Sequence, residues 1–465
     1  MRQRLRFLLP LLLTALLVAG CAAVPVIGVG SPGRGEPTDV PSADFPITGV
    51  SAAPIDQFAR NALTDLNGFW KQAYPTYFHG RFRPLSGGYF SVDSGHVERG
   101  AYPSTGIGCS KSPTSPDSVE GNAFYDPTCD SIAYDRALLQ ELSKDYGRFL
   151  VAVVMAHEFG HAMQGRFGFA GSGRSIQDET QADCFAGAWT RWVDDGHAPH
   201  VALRTPELDD VLRGFLLLRD QVGSDPNDTQ AHGSYFDRVS AFYEGFDGGV
   251  ASCRDDFGDK RLFTAASFTS DLDYANQGNA PYGDIVTWIK QTLPLFWTGT
   301  FQRAFGRAFQ APAITPVDGA VPACGNASDR DLGYCPSDGT VYFDQTDLIG
   351  PAYDKIGDFA VAAGLSLPYA LAARSEGHLS VGDAAAVRSA VCLTGWYTHE
   401  WYTGAYSRRL KVTLSPGDVD EAVEFLLTYG VDKRVFPDVS TSGFQLVGAF
   451  RKGFLTGGPA CNIGL

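Results

Sequence analysis

The stretch VVMAHEFGHAM, residues 153–163, decides how the chain is interpreted, because it places two histidines four residues apart in an apolar run. The apolar spacing around it predicts a buried helix over residues 148–164. On that helix His157 and His161 share one face, where two imidazoles can bind one zinc ion. Glu158 points away from the metal axis and is placed to take a proton from an attacking water. The alternative is an ordinary helix that happens to carry two histidines.

A second acidic segment supplies a candidate third ligand. DETQADC, residues 178–184, places Glu179 and Asp183 four residues apart, on one face of a helix. A catalytic zinc needs a third protein ligand, so Glu179 is predicted to bind the metal and Asp183 to orient His157 by a hydrogen bond. A solvated helix face is the alternative for such an acidic pair. The small apolar residues that follow indicate a packed helix instead, where an unpaired carboxylate is costly.

The chain also resembles itself. DCFAGAWTRWVDDG (183–196) recurs weakly as VCLTGWYTHEWYTG (391–404), and FDRVSAFYEGFDGGVASC (236–253) recurs as FQLVGAFRKGFLTGGPAC (444–461) at the same offset. Two blocks in the same order, each with an aligned cysteine, favour an internal duplication over chance similarity.

The second copy lacks the proposed chemistry. The positions aligned with the candidate site residues are apolar or uncharged: His157 with Leu367, Glu158 with Pro368, His161 with Leu371, Glu179 with Val387, Asp183 with Val391 and His232 with Ser440. Packing residues are retained, as in the pair Gly187 and Gly395. Structural histidines would be needed in both copies, so their loss favours a functional role in the first copy and predicts a metal-free second copy.

Eight cysteines follow Cys21, an even number that suggests disulfides in an exported protein. If each copy once folded alone, the pairs stay within the copies. The favoured pairs are Cys109–Cys129, Cys184–Cys253, Cys324–Cys335 and Cys392–Cys461. The alternative for Cys184 is a buried free thiol.

Composition restricts the classes of function. The chain has 465 residues, of which 44% are hydrophobic and 19% charged, and this length exceeds one ordinary core. Its net charge of −15 argues against nucleic acid and against an anionic membrane surface as electrostatic partners.

The N-terminus predicts a targeting segment. Arginines precede an apolar run that is too short to be a convincing spanning helix, and VAGC (18–21) resembles a bacterial lipobox. We therefore predict a signal peptide over 1–20, a lipid-bearing Cys21 that anchors the protein to the cell membrane on the extracytoplasmic face, and a flexible tether over 21–50. An ordinary signal peptide with an incidental cysteine is the alternative.

Three motifs together resemble a known family. HEFGHAMQ (157–164), ETQADCFAGAW (179–189) and HGSYFDRVSAFYEGF (232–246) look like the bacterial neutral zinc metallopeptidases of the HExxH…E class. With the lipobox, the chain is similar to actinobacterial LpqM-type lipoprotein peptidases.

The resemblance implies roles for individual residues. It makes His157, His161 and Glu179 the ligands of one Zn²⁺ per chain and Glu158 the general base. It also implies that His232 stabilises the developing oxyanion, whereas a histidine that caps or packs against the following helix is the alternative. The β-prone segment DSIAYD (130–135) is a candidate edge strand for pairing with an extended peptide. An ordinary core strand is an equally favoured alternative.

The predicted fold is α+β, with two tandem zincin-like domains, over 51–253 and 282–465, joined by a polar linker over 254–281. The predicted function is a zinc metalloendopeptidase of the gluzincin type that acts on peptides or proteins. The alternative is a non-enzymatic lipoprotein scaffold or adhesion module with a structural zinc. The oligomeric state and the peptide substrate are not indicated by the sequence.

Overall fold

The computed structural model describes residues 36–169, 173–204, 206–322, 324, 330–436 and 440–464. The predicted signal peptide over 1–20, the lipid site Cys21 and the first part of the tether lie outside the described residues. Within the described ranges the chain is mixed α+β, as predicted, with many helices and two small sheets. In that same part of the chain, no helix combines the length and apolar character that a membrane crossing requires.

The described residues form fourteen α-helices: α1 Pro54–Phe78, α2 Arg136–Tyr146, α3 Arg148–Phe167, α4 Ser175–Asp194, α5 Glu207–Leu218, α6 Tyr235–Asp255, α7 Asp271–Ala275, α8 Tyr282–Phe305, α9 Gly350–Lys355, α10 Asp358–Glu376, α11 Ala384–Tyr402, α12 Ser407–Leu410, α13 Asp418–Thr428 and α14 Gly443–Thr456. They also form six strands: β1 Gly88–Val92, β2 Ala123–Asp126, β3 Ser131–Asp135, β4 Ala313–Val317, β5 Leu332–Cys335 and β6 Thr340–Asp344.

The two sheets have the same topology. The first has the order β1-β3-β2 and the second β4-β6-β5. In each, the central strand pairs in parallel with the first strand and antiparallel with the second. The segment SIAYD is therefore β3, a central strand buried along its whole length, and its interpretation as an edge strand is wrong. The edge next to the predicted metal helix is β2.

Local sequence determines where the main helices begin and end. α6 begins with a capping box in which Ser234 and Asp237 exchange hydrogen bonds, and α14 begins in the same way at Ser442. α3 continues about one turn past its predicted end, to Phe167, because Gly168 adopts the left-handed conformation that ends it, with φ 72°.

Helices α4 and α6 pack at very short range. A Cβ atom added at Gly187 of α4 would collide with the carbonyl oxygen of Phe242, and one added at Gly245 of α6 would collide with that of Cys184. The same contacts recur between α11 and α14, at Gly395 and Gly453. Only glycine permits this backbone approach.

The cysteines lie in the predicted pairs. The Cα atoms of Cys109–Cys129, Cys184–Cys253 and Cys324–Cys335 are each 5.5 Å apart, and those of Cys392–Cys461 are 5.3 Å apart, which is compatible with disulfides. Cys184 accordingly faces a partner across the α4–α6 contact.

The two halves interlock through reciprocal helix caps. Asp420 of α13 accepts hydrogen bonds from the backbone N–H groups of Tyr235 and Phe236, at the start of α6. Asp209 of α5 does the same for the residues that begin α14, Gly443 and Phe444. One hydrophobic core runs through both halves, from Ile47 to Ile463.

The close helix contact generates a stability prediction. We expect Gly187→Ala to destabilise the protein by roughly 3 kcal/mol, because the added methyl must push α4 and α6 apart. As a matched control, Gly68→Ala in α1 should stabilise by up to about 1 kcal/mol, since alanine favours a helix and a Cβ there meets no atom of the described structure within 4 Å. Chemical denaturation of both variants with intact disulfides measures the difference. Equal effects would contradict the proposed packing constraint.

Candidate metal centre

Helices α3 and α4 bring the predicted ligands together. Their close approach depends on Gly160, within the HEFGH motif, because a Cβ atom there would lie 2.9 Å from the Cα of Ala182. This contact places the face that carries His157 and His161 opposite Glu179. The glycine between the histidines is therefore a packing requirement of the site.

The three side chains converge on one point. The Nε2 atoms of His157 and His161 are 3.1 Å apart. Glu179 lies between them, with Oε2 3.2 Å from the first Nε2 and Oε1 3.4 Å from the second. Two imidazole nitrogens and a carboxylate oxygen are a typical ligand set of catalytic zinc. The donor atoms all lie within 4.8 Å of one another, so they fit one shared zinc ion.

Asp183 lies within hydrogen-bond distance of the first histidine. Its Oδ1 lies 2.8 Å from Nδ1 of His157 in a fully buried position, which leaves Nε2 facing the other ligands. The sequence reasoning missed Arg238, on α6, whose Nε and Nη2 donate to Asp183 at 2.8 Å. Arg238 also donates to the carbonyl oxygen of Leu218. This guanidinium compensates the charge of a carboxylate that would otherwise be buried with only a histidine.

Gln164 orients the second histidine, and it was also missed. Its Oε1 lies 2.9 Å from Nδ1 of His161, and its Nε2 donates to the carbonyl oxygen of Asp178 at 2.6 Å and to Oε1 of Gln181 at 3.1 Å. Its spacing of three residues from His161 on one helix was the available signal. Both imidazoles thus have a fixed orientation.

The electrostatic balance of the centre favours a cation. Burial opposes ionisation of Glu179, but the two facing imidazoles hold the pKa of its carboxyl well below the ordinary value. Burial likewise opposes protonation of His157, yet Asp183 and Glu179 raise the pKa of His157 to about 10. The carboxylates therefore create a demand for positive charge that a zinc ion satisfies.

Glu158 lies beside the three candidate metal ligands but is not one of them. Its carboxyl is 7% exposed, and its Oε2 accepts a hydrogen bond of 2.8 Å from the backbone N–H of Tyr125 in β2. Burial raises the pKa of this carboxyl. A carboxyl with a raised pKa is suited to accepting and returning a proton near neutral pH.

The centre opens into a cleft of about 880 Å³. Residues of β2, α3 and α4 line the cleft, together with His232. Because β2 is an edge strand, its outer backbone groups face this space.

His232 is placed at the rim of the cleft. Its side chain is 48% exposed, and Nδ1 lies 3.2 Å from Oδ1 of Asp220, a partner that sequence reasoning missed. A hydrogen bond from His232 to the Asp220 carboxylate raises the pKa of His232, and the charge of Glu179 adds to this effect. Ser234, and not His232, is the cap of α6, so the capping part of the alternative is wrong, whereas packing of His232 against this helix stays an alternative.

The corresponding place in the second half is apolar. Leu367, Pro368 and Leu371 of α10 line a cavity of about 270 Å³ beside β5. Val387 and Val391 of α11, at the positions aligned with the acidic pair, are buried. Of the described residues around this cavity, none belongs to a group of three metal-ligating side chains.

A comparison with protein families supports the chemistry of the first half. Residues 104–257 match the family model described as "Putative neutral zinc metallopeptidase". This match supports a zinc metallopeptidase family. The matched region includes every residue of the metal centre and its hydrogen-bonded shell.

Curated proteins from other bacteria are also similar to this chain, but those described below are uncharacterized and so indicate no activity. The uncharacterized protein Rv2575 of Mycobacterium tuberculosis is 27% identical over 219 residues, which cover 41% of this chain and 67% of that protein. The uncharacterized protein YpfJ of Escherichia coli is 28% identical over 160 residues, 29% of this chain and 54% of that protein. No solved structure matches the chain. Similarity to LpqM-type peptidases stays a prediction.

The role of Asp183 can be tested by zinc affinity. We expect Asp183→Asn to weaken zinc binding by about 10–100-fold, because the carboxylate no longer fixes and polarises His157. Asp195→Asn, on the exposed end of α4, is the control and should bind zinc like the parent chain. Competition with a chromogenic chelator measures both affinities, and circular dichroism verifies the folding of each variant. Unchanged affinity in Asp183→Asn would refute this role.

Proposed function

We propose that the chain is a zinc-dependent endopeptidase, with one zinc ion held by His157, His161 and Glu179. The observation that carries the proposal is the convergence of these three donors beside a buried carboxyl, Glu158, which accepts a hydrogen bond from Tyr125 and is not one of the three donors. The family match of residues 104–257 supports the same reaction class.

The geometry favours a catalytic over a structural zinc. A structural zinc is enclosed by four protein ligands, whereas a catalytic zinc has three and an open position. Within the described ranges the group consists of three donors, and it faces a large cleft. This arrangement disfavours the alternative of a scaffold protein with a structural zinc.

Glu158 is the proposed proton carrier. A zinc ion in this site supplies a Lewis acid that lowers the pKa of water and polarises a carbonyl group. Glu158 takes the proton of the attacking water and passes it to the amine that leaves. Its buried position, which raises the pKa of its carboxyl, keeps bulk water from competing for that proton.

His232 is the proposed donor to the carbonyl oxygen on which charge develops. Asp220 holds its Nδ1, so Nε2 is left to donate toward the cleft. A hydrogen-bond donor aimed at developing charge contributes most in a site that excludes water.

Strand β2 is the proposed binding edge for the substrate backbone. The N–H of Tyr125 points away from β3 and toward Glu158, so an extended peptide beside β2 would pass close to the metal ligands. The lining of the cleft includes one cation, Arg238, which is already paired with Asp183. The described lining lacks a free cation for a terminal carboxylate, which disfavours a carboxypeptidase. We propose internal cleavage, with the substrate backbone extended along β2.

We further propose that the second half is a duplicated zincin-like domain without zinc. Support comes from the identical sheet order, the repeated glycine contacts and the repeated pair of cysteines separated by 69 residues. The hydrophobic replacement of the ligand positions by Leu367 and Leu371 explains the loss of zinc there. The reciprocal caps indicate that this half supports the fold of the catalytic half.

Replacing Glu158 tests the proposed mechanism. Glu158→Gln should keep the zinc content but lower kcat by about 10²–10⁴-fold, because the amide cannot accept the proton. Glu141→Gln, an exposed change on α2, is the matched control and should retain full activity. Cleavage of a peptide library, followed by mass spectrometry with and without a chelator, measures the activity. Full turnover by Glu158→Gln, or cleavage insensitive to the chelator, would refute the proposal.

We propose lipid anchoring on the extracytoplasmic face from the lipobox-like sequence alone. Cys21→Ser should shift the protein from the membrane fraction to the soluble fraction and abolish incorporation of radiolabelled palmitate. Ser31→Ala, in the predicted tether, serves as the control for a change that leaves every cysteine in place. Unchanged membrane association in Cys21→Ser would favour the ordinary signal peptide.

A further inference from the structure

Three buried carboxylates meet in the second half, far in sequence from the zinc ligands. Asp358 is the first residue of α10, Asp418 is the first residue of α13, and Glu421 lies one turn further along α13. One oxygen from each lies within 4.8 Å of the others. The exposed fractions are 4%, 4% and 9% respectively. We call this group the acidic junction.

The acidic junction leaves acceptor atoms unused. Each carboxylate accepts one hydrogen bond of 2.7–2.8 Å, from the backbone N–H groups of Ala280, Ser415 and Phe359. The remaining Oδ1 atoms of Asp358 and Asp418 are buried and have no hydrogen-bond partner among the described residues. A buried carboxylate oxygen without a partner is costly, so these atoms indicate a missing electropositive group.

The acidic junction also has no compensating charge. Among the residues that the structure describes, none of its three carboxylates forms an ion pair with lysine, arginine or histidine. Their strongest charged neighbours are one another and further carboxylates, at Asp273 and Asp420. Asp420 is itself paired with Arg219, so that cation is already engaged.

The equivalent junction in the first half is balanced. There α3 begins with Arg148 and α5 begins with Glu207, and Nε lies 3.8 Å from Oε1. In the second half, α10 and α13 occupy the same positions in the order of elements as α3 and α5. These helices begin with Asp358 and Asp418. An opposite-charge contact is thus replaced by two like charges that need a cation between them.

We propose that the acidic junction binds one Ca²⁺ ion through Asp358, Asp418 and Glu421. The donors are all oxygens, which favours a hard cation over zinc. Three carboxylate oxygens within 4.8 Å of one another are close enough to share one Ca²⁺ ion, which binds oxygens at about 2.4 Å. Mg²⁺ is disfavoured because it gives up its water reluctantly, and this site is buried.

The bound ion would join three parts of the chain. Asp358 receives the backbone N–H of Ala280 from the segment before α8, while Asp418 and Glu421 belong to α13. Glu421 also caps α10 through Phe359. Calcium would therefore lock the start of α10 against α13 and the preceding segment, independently of peptidase activity.

Direct binding tests the site. The full chain is stripped of metals with EGTA, reloaded with one equivalent of zinc and dialysed against Ca²⁺ alone, and bound calcium and zinc are then measured by elemental analysis. We expect about one calcium per chain beyond the zinc, and a thermal midpoint several degrees higher than in Mg²⁺ at equal concentration. Absence of bound calcium at millimolar Ca²⁺ would overturn the proposal.

Variants locate the ion. Asp418→Asn and Glu421→Gln should each weaken calcium binding at least tenfold and reduce the thermal shift, with zinc content unchanged. Asp271→Asn, an exposed change of the same charge on α7, should keep both metals. If Asp418→Asn does not fold, the site is tested by the calcium affinity of Glu421→Gln and by the thermal shift of the parent chain in calcium. If a folded variant of the acidic junction bound calcium as tightly as the parent chain, the assignment would be overturned. Displacement of the bound calcium by added zinc would also overturn it.

Discussion

The contact between α4 and α6 is the constraint on which the site depends. Gly187 and Gly245 let the two backbones touch, and Cys184 and Cys253 lie across the same contact. Because α4 carries Glu179 and Asp183 while α6 carries Arg238, this contact determines where the charged groups meet α3. A side chain at either glycine would separate the groups that hold and orient the metal ligands.

Charge compensation then extends from the core to the cleft. Arg238 neutralises buried Asp183, Asp183 orients His157, and His157 with Glu179 presents donors to the metal. Each buried charge has an opposite partner, so the centre has a defined geometry at limited desolvation cost. Glu158 is the exception, since among the described residues the N–H of Tyr125 is the one hydrogen-bond partner of its carboxyl, and this isolation suits a group that must exchange a proton.

The two halves have the same sheet topology but differ in where their buried charged side chains lie. The first half concentrates paired charges at the metal centre, whereas the second half places apolar residues there, such as Leu367 and Val391. Its buried charges lie instead at the start of α10 and α13. The reciprocal caps by Asp209 and Asp420 join the halves through one core, so neither half is an isolated unit.

The sequence by itself determined the helix that carries the two histidines and the acidic pair at Glu179 and Asp183, and it favoured the pairing of the cysteines that the structure then brought together. These features are local patterns or repeated blocks, which spacing reveals. Only the tertiary structure decided that β2 is the edge strand and that Arg238 and Asp220 are the partners of Asp183 and His232. Strand order and long-range ion pairs depend on how distant segments pack, and this packing leaves no fixed spacing in a single sequence.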